Sequence, residues 1–183
     1  MSSVLLGFSG RAAKRMNEQS KSAGTGPIHS HPDTRDGLRA AQLELVRSAR
    51  HELRILAPAL DATAFNGSAM AEALGRFIAG HGRNRARVVV EDTEHMLQTC
   101  TRFVELARRF SDLLIVRRLG EPHRGLREMF MVADHDNCLY QPDIALVDAT
   151  LDLHAPKQAG ALGQRFEEIW ASTEPVPGLH HFR

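Results

Sequence analysis

A chain of 183 residues has the length of one domain, with room for a tail, and at that size folding buries roughly 70% of the unfolded chain's surface without disulfide or metal staples. Its 23 Lys+Arg and 22 Asp+Glu leave a formal charge of +1, which argues against a dedicated DNA-packaging protein; 43% apolar residues exclude a fully disordered chain. Within the cations there are 20 arginines and only Lys14, Lys21 and Lys157. Such a bias can serve bidentate anion binding, but coding bias in a GC-rich genome is the commoner cause.

Residues 1–33 read as a disordered leader, rich in serine and glycine, with four cations and the single acid Glu18 up to residue 32. A mitochondrial presequence shares that composition, and a bacterial leader is the preferred reading. His29 and His31 have a spacing that could grip a metal, but no third ligand lies nearby, so solvated side chains are expected. Cys100 and Cys138 stand in no metal-ligand spacing and suit a reducing, cytoplasmic setting as small buried hydrophobes. No apolar run approaches the roughly 20 residues that span a bilayer.

From Asp33 the pattern is globular. Thr34 or Asp36 can cap a helix carrying Leu38, Ala41, Leu45 and Ala49 on one face. Leu53–Ala57 reads as a strand stopped by Pro58, and Asn66 or Ser68 caps a second helix carrying Met70, Leu74, Phe77 and Ile78. Gly80-His81-Gly82 ends that helix, with a left-handed glycine expected there. Ala86–Asp92 is a β-branched strand, Thr93–Phe110 a third helix, and Leu113–Val116 another strand. This alternation predicts right-handed crossovers and parallel strands with helices over them.

The second half changes style. Leu126–Ala133 is an apolar run interrupted by Arg127 and Glu128; Asp134-His135-Asp136-Asn137 is turn chemistry, and Cys138-Leu139-Tyr140 returns as a strand. Ile144–Val147 reads as a further short strand. A closing helix near 160–172 places Leu162, Phe166, Ile169 and Trp170 on one face, and residues 174–183 read as a fraying tail.

An α/β half-domain that ends in a strand, an Asp-containing turn, a returning strand and a Phe166-x-x-x-Trp170 helix resembles one repeat of the phospholipase D superfamily. The stretch Ala49–Ile55 leading to Pro58, then a helix, then Val88-Val89-Val90 is similar to the first half of such a repeat. The resemblance spans about residues 36 to 172, within a domain bounded at 34–173. It extends to an uncharacterised proteobacterial domain of that lineage, and implies an α/β fold with a mixed sheet flanked by helices and a C-terminal β-hairpin and closing helix.

The superfamily's signature is His-x-Lys-x4-Asp. Aligned on Asp134, it puts Arg127 at the histidine and Met129 at the lysine. In such enzymes histidine attacks phosphorus and lysine holds the phosphoryl oxygens. A permanently protonated guanidinium cannot attack, and a thioether supplies no cation. A single repeat would also need a two-fold homodimer to complete a site. The resemblance therefore implies a degenerate active site and a role in binding an unknown protein or an anionic, phosphate-bearing ligand, with no cofactor.

Two alternatives stand beside it. One is a hydrolase with a remodelled site built on His123, Glu128 and Asp134; the other is a nucleic-acid accessory protein using Arg117, Arg118, Arg124 and Arg127. Asp134 has a blander reading as a turn-starting residue capping its own hairpin. Arg127, on an apolar strand, needs a partner such as Asp134 or Asp92, or an external anion. Glu128, on the opposite face by strand alternation, is not its direct partner. Arg117 and Arg118, with Arg127, are the candidate ligand-binding cations at a strand's carboxyl end, where α/β ligands usually sit. Arg83, Arg85 and Arg87 fall at the other edge and read as a solvated rim.

Overall fold

The computed structural model describes residues 26–179. Its elements are β1 (Ile28–Ser30), α1 (Arg35–Ser48), β2 (Glu52–Leu56), α2 (Ala62–Phe65), α3 (Ser68–Gly80), β3 (Arg85–Val90), α4 (Thr93–Thr99), α5 (Thr101–Arg109), β4 (Leu114–Arg118), β5 (Met129–Ala133), β6 (Asn137–Gln141), β7 (Thr150–Leu153), α6 (Pro156–Trp170) and β8 (Glu174–Pro175). One mixed sheet runs β1-β7-β6-β5-β2-β3-β4-β8. Only β2, β3 and β4 are parallel; the β5–β6 hairpin joins them antiparallel at β2.

The two sheet faces differ in cover. Apolar positions of α1, α3, α4 and α5 pack on one face around Leu45, Leu74, Phe77 and Phe103, with Ile55, Val88 and Met131 from the strands. On the other face α6 presents Ala159, Phe166 and Ile169 to Leu56, Val89, Phe130, Val132 and Cys138. The 3.6-residue spacing of these side chains is what makes each helix amphipathic and fixes its buried stripe. No helix among the described residues is long and apolar enough to cross a membrane.

Thr34 caps α1 as its position suggests, its hydroxyl accepting the Gly37 N–H at 3.0 Å. Several expectations need correction, each for a physical reason. Asn66 does not cap α3, whose N-cap is Gly67; its side-chain oxygen accepts the Arg102 N–H at 2.9 Å. That bond captures the first turn of α5, and the helix expected over 93–110 breaks at Cys100 (φ −101°, ψ 51°) into α4 and α5. At the end of α3, His81 is the C-cap with extended backbone (φ −157°), so no left-handed glycine is used there.

Ile144–Val147 is a turn, not a strand. The Asp143 carboxylate accepts the Ala145 N–H, and the Asp143 carbonyl that of Leu146, which draws the backbone away from a ladder. The strand lies later, at β7, where Thr150 and Asp152 dilute the apolar signal. The tail does not fray through Leu179: β8 pairs with Arg117 and Arg118, and Val176 and Leu179 are buried. Gly120 makes this closure possible, because a Cβ there would stand 2.0 Å from the Ser172 carbonyl oxygen. At the other end, β1 lies inside the segment expected as leader and pairs with β7; residues 1–25 lie outside the described residues.

Candidate functional site

The chemistry-bearing residues fall at the two edges of the sheet and on the α6 face. At the carboxyl edge of β2–β4, Arg127 does not lie on a strand at all: β5 begins at Met129. The Arg127 side chain is 65% exposed and forks onto Asp143, with Nε to Oδ2 at 3.1 Å and Nη2 to Oδ1 at 2.9 Å. Its expected partners Asp134 and Asp92 are both engaged elsewhere. The Asp143 carboxyl is held below the usual carboxylate range, first by Arg127 and then by the Ala145 N–H. Met129 is buried, 4% exposed, in the core beneath α1.

Glu128 turns to the other face and accepts from Arg165 of α6 at 3.2 and 3.0 Å. The neighbouring Tyr140 hydroxyl is pushed up by burial and then by the Glu128 charge. His123 ends a short 3-10 turn (Glu121–His123), half-buried, and its imidazole makes no hydrogen bond or ion pair among the described residues. Around it, Arg124 pairs with Glu121 and Arg118 with Glu174. Glu91 accepts the Gly125 N–H, and Asp92 caps α4 by accepting from His95, so both acids at the end of β3 have local structural bonds.

Asp134 sits at the far end of β5 from Arg127, roughly 20 Å away at about 3.3 Å per strand residue. It adopts a left-handed backbone (φ 55°), and its carboxylate accepts the N–H groups of Arg50, His51 and Glu52 at 2.9, 2.8 and 3.0 Å. It therefore ties the hairpin to the entry of β2 instead of capping its own turn. His154 is also left-handed (φ 56°), its Nδ1 3.5 Å from Asp136. His29 and His31 do not converge: His29 bonds Asp152 and His31 meets Thr150, tying β1 to β7. Among the described residues no group of three or more metal-capable side chains forms. Cys100 and Cys138 are free and buried; burial, then the Asp152 charge, pushes the Cys138 thiol up to about 12.

Sequence reasoning missed a charged network beneath α6. Arg87, expected on a solvated rim, bonds Glu52 and Glu167 at 2.6 Å each and lies 5.3 Å from the ring centres of Phe166 and Trp170. Arg54 joins it, bonded to Glu52 and 3.2 Å from Glu167 Oε1. A Cβ at residue 163 would stand 3.0 Å from Arg54 Nη1, so Gly163 gives the guanidinium its room. Arg117 lies 5.0 Å from the Trp170 ring and donates to Thr173 at 3.4 Å. The signal available in sequence was alternation: Glu52, Arg54 and Arg87 occupy every second position on paired strands, facing one side.

The model of a domain of unknown function, DUF7931, matches residues 34–182. The chain belongs to the DUF7931 family. No curated protein matches it in sequence. Solved structures do resemble this DUF7931 domain in fold. Nuc from Salmonella typhimurium, a phospholipase D family member, aligns at TM-score 0.61 and 14% identity over 82% of this chain and 99% of its own. NucT from Helicobacter pylori aligns at 0.59 and 12% over 82% and 100%. TrmBL2, an archaeal chromatin protein, aligns at 0.59 and 12% over 90% of this chain, which spans 63% of TrmBL2. The DUF7931 domain thus has a phospholipase D-like fold, as its sequence resemblance implied.

Proposed function

We propose that this DUF7931 domain is a non-catalytic, phospholipase D-like binding module for a phosphate-bearing ligand. The observation that carries the reading is the pair of residues at the reactive positions. Arg127 is a clamped, permanently charged group, and Met129 is buried in the core. Neither supplies a nucleophile, Met129 supplies no cation, and the Arg127 fork already faces Asp143. A remodelled hydrolase built on His123, Glu128 and Asp134 draws little support. Glu128 is bonded to Arg165 and Asp134 to backbone amides at the opposite end of β5.

A nucleic-acid interface on Arg117, Arg118, Arg124 and Arg127 also draws little support, because three of these four guanidiniums already face a carboxylate. The likeness to TrmBL2, whose structure is described as showing a mode of DNA binding, is one of fold. The deciding assay is hydrolysis of bis(p-nitrophenyl) phosphate by rigorously purified protein. We expect a rate indistinguishable from buffer. Turnover that disappears with His123→Ala or Asp134→Ala would reject the reading.

A further inference from the structure

The exposed arginines at the two sheet edges differ in their pairing. Arg118, Arg124 and Arg127 at the carboxyl edge are paired. At the opposite edge, Arg47, Arg50 and Arg76 form no ion pair with any described residue, and all three are exposed. They line one groove of about 410 Å³ between the C-terminal halves of α1 and α3. Val46, Ala73 and Phe77 supply its apolar wall. Arg47 and Arg50 also border a second cleft toward His51 and His154.

Two helix C-termini point to this edge, and their partial charges of roughly −0.5 each oppose anion binding. Three full positive charges outweigh them. Asp134 has its oxygens on the amides of residues 50–52, and Glu44 and Glu72, one turn from Arg47 and Arg76, form no ion pair with them among the described residues. Asn84 lines the same groove and is 4% exposed. Its amide nitrogen donates to the Phe77 carbonyl at 2.7 Å, which fixes the amide's orientation. Its Oδ1 is buried as well and has no hydrogen-bond partner among the described residues, so Asn84 is a fixed part of the groove wall and not a group that a ligand reaches.

We propose that the α1–α3 groove binds a phosphomonoester carried on a carbon skeleton, the phosphate on Arg47, Arg50 and Arg76 and the skeleton against Val46, Ala73 and Phe77. Guanidinium forks match phosphate oxygens, and the apolar wall accepts the carbon skeleton. The site rests on the binding role proposed above and locates it away from the signature residues.

Calorimetric titration of the full chain with inorganic phosphate, ribose 5-phosphate and AMP tests it. Ribose 5-phosphate is expected to bind more tightly than inorganic phosphate. A further gain with AMP identifies a nucleotide as the source of the phosphate, and equality identifies a sugar phosphate. Arg76→Gln and Arg47→Gln, both at exposed positions, should each weaken binding roughly tenfold or more, while Arg127→Gln leaves it unchanged. Binding that survives both substitutions but falls with Arg127→Gln or Arg117→Gln overturns this site and leaves the binding role standing. Inorganic phosphate binding as tightly as ribose 5-phosphate overturns the contact with the apolar wall. No binding of any of the three overturns both the site and the phosphate-binding role.

Discussion

Asp134 stands where the sequence resemblance places the signature aspartate, and its bonds explain what it does here. Three successive amides converge on one carboxylate at 2.8 to 3.0 Å, joining the β5–β6 turn to the start of β2. Its left-handed backbone is one that Asp and Asn tolerate better than residues without a short polar side chain. Asp134→Ala removes all three acceptor contacts and strains the turn, and should cost about 2 kcal/mol in urea unfolding. Asp134→Asn keeps one side-chain oxygen and the permitted backbone, so its loss should be about half as large. An equal loss in the two variants would place the stabilisation in the charge alone. The aspartate was visible in the sequence as a turn residue, but its partners lie more than eighty positions away, where no local pattern reaches.

At the scale of elements, α6 is held to the sheet by more than its apolar stripe. Glu167 reaches Arg87 and Arg54, whose side chains are only 18% and 14% exposed, while Glu52 braces them from β2. Two guanidiniums facing two carboxylates leave the network neutral. Glu167→Gln leaves the two cations with one carboxylate; with Glu167 itself 48% exposed and screened by solvent, the expected loss is about 1 kcal/mol near neutral pH. The sign with pH follows from the carboxyl being held below its ordinary 4.5, chiefly by Arg87. Its stabilisation is present above that value and is lost as pH falls through the lowered one. Chemical unfolding of the two proteins should therefore converge as pH falls through the lowered value. A gap that stays constant with pH would assign the effect to packing. The amphipathic spacing announced α6 in the sequence; the cations under it were misplaced because a position just before an apolar strand says nothing about which helix crosses it.

The whole molecule is a sheet with unequal covers and closed ends. β1 shields one edge, and β8 shields β4 at the other while Val176 and Leu179 enter the core. Removing the chain from residue 174 onward should cost about 3–5 kcal/mol, since two apolar side chains contribute roughly 1.5–3 kcal/mol each. It should also bare β4 as a pairing edge, giving self-association visible in light scattering. A monomeric truncated protein of unchanged stability would contradict the role of this segment.

What the sequence determined by itself is the local physics: helical and alternating apolar periods, the Thr34 cap and the turn at 134–137. Those features depend on residues within a few positions of one another, and they sufficed for the fold and the family. Only the tertiary structure decided which charges meet. Asp143 neutralises Arg127 from sixteen positions away, Glu167 reaches Arg87 across eighty, and Asn66 divides a helix by bonding the start of its second half. The near-neutral composition hid this distribution. Charge pairing depends on distances of a few ångströms in space, which net charge cannot record, and it leaves Arg47, Arg50 and Arg76 around one groove with no ion pair to any described residue.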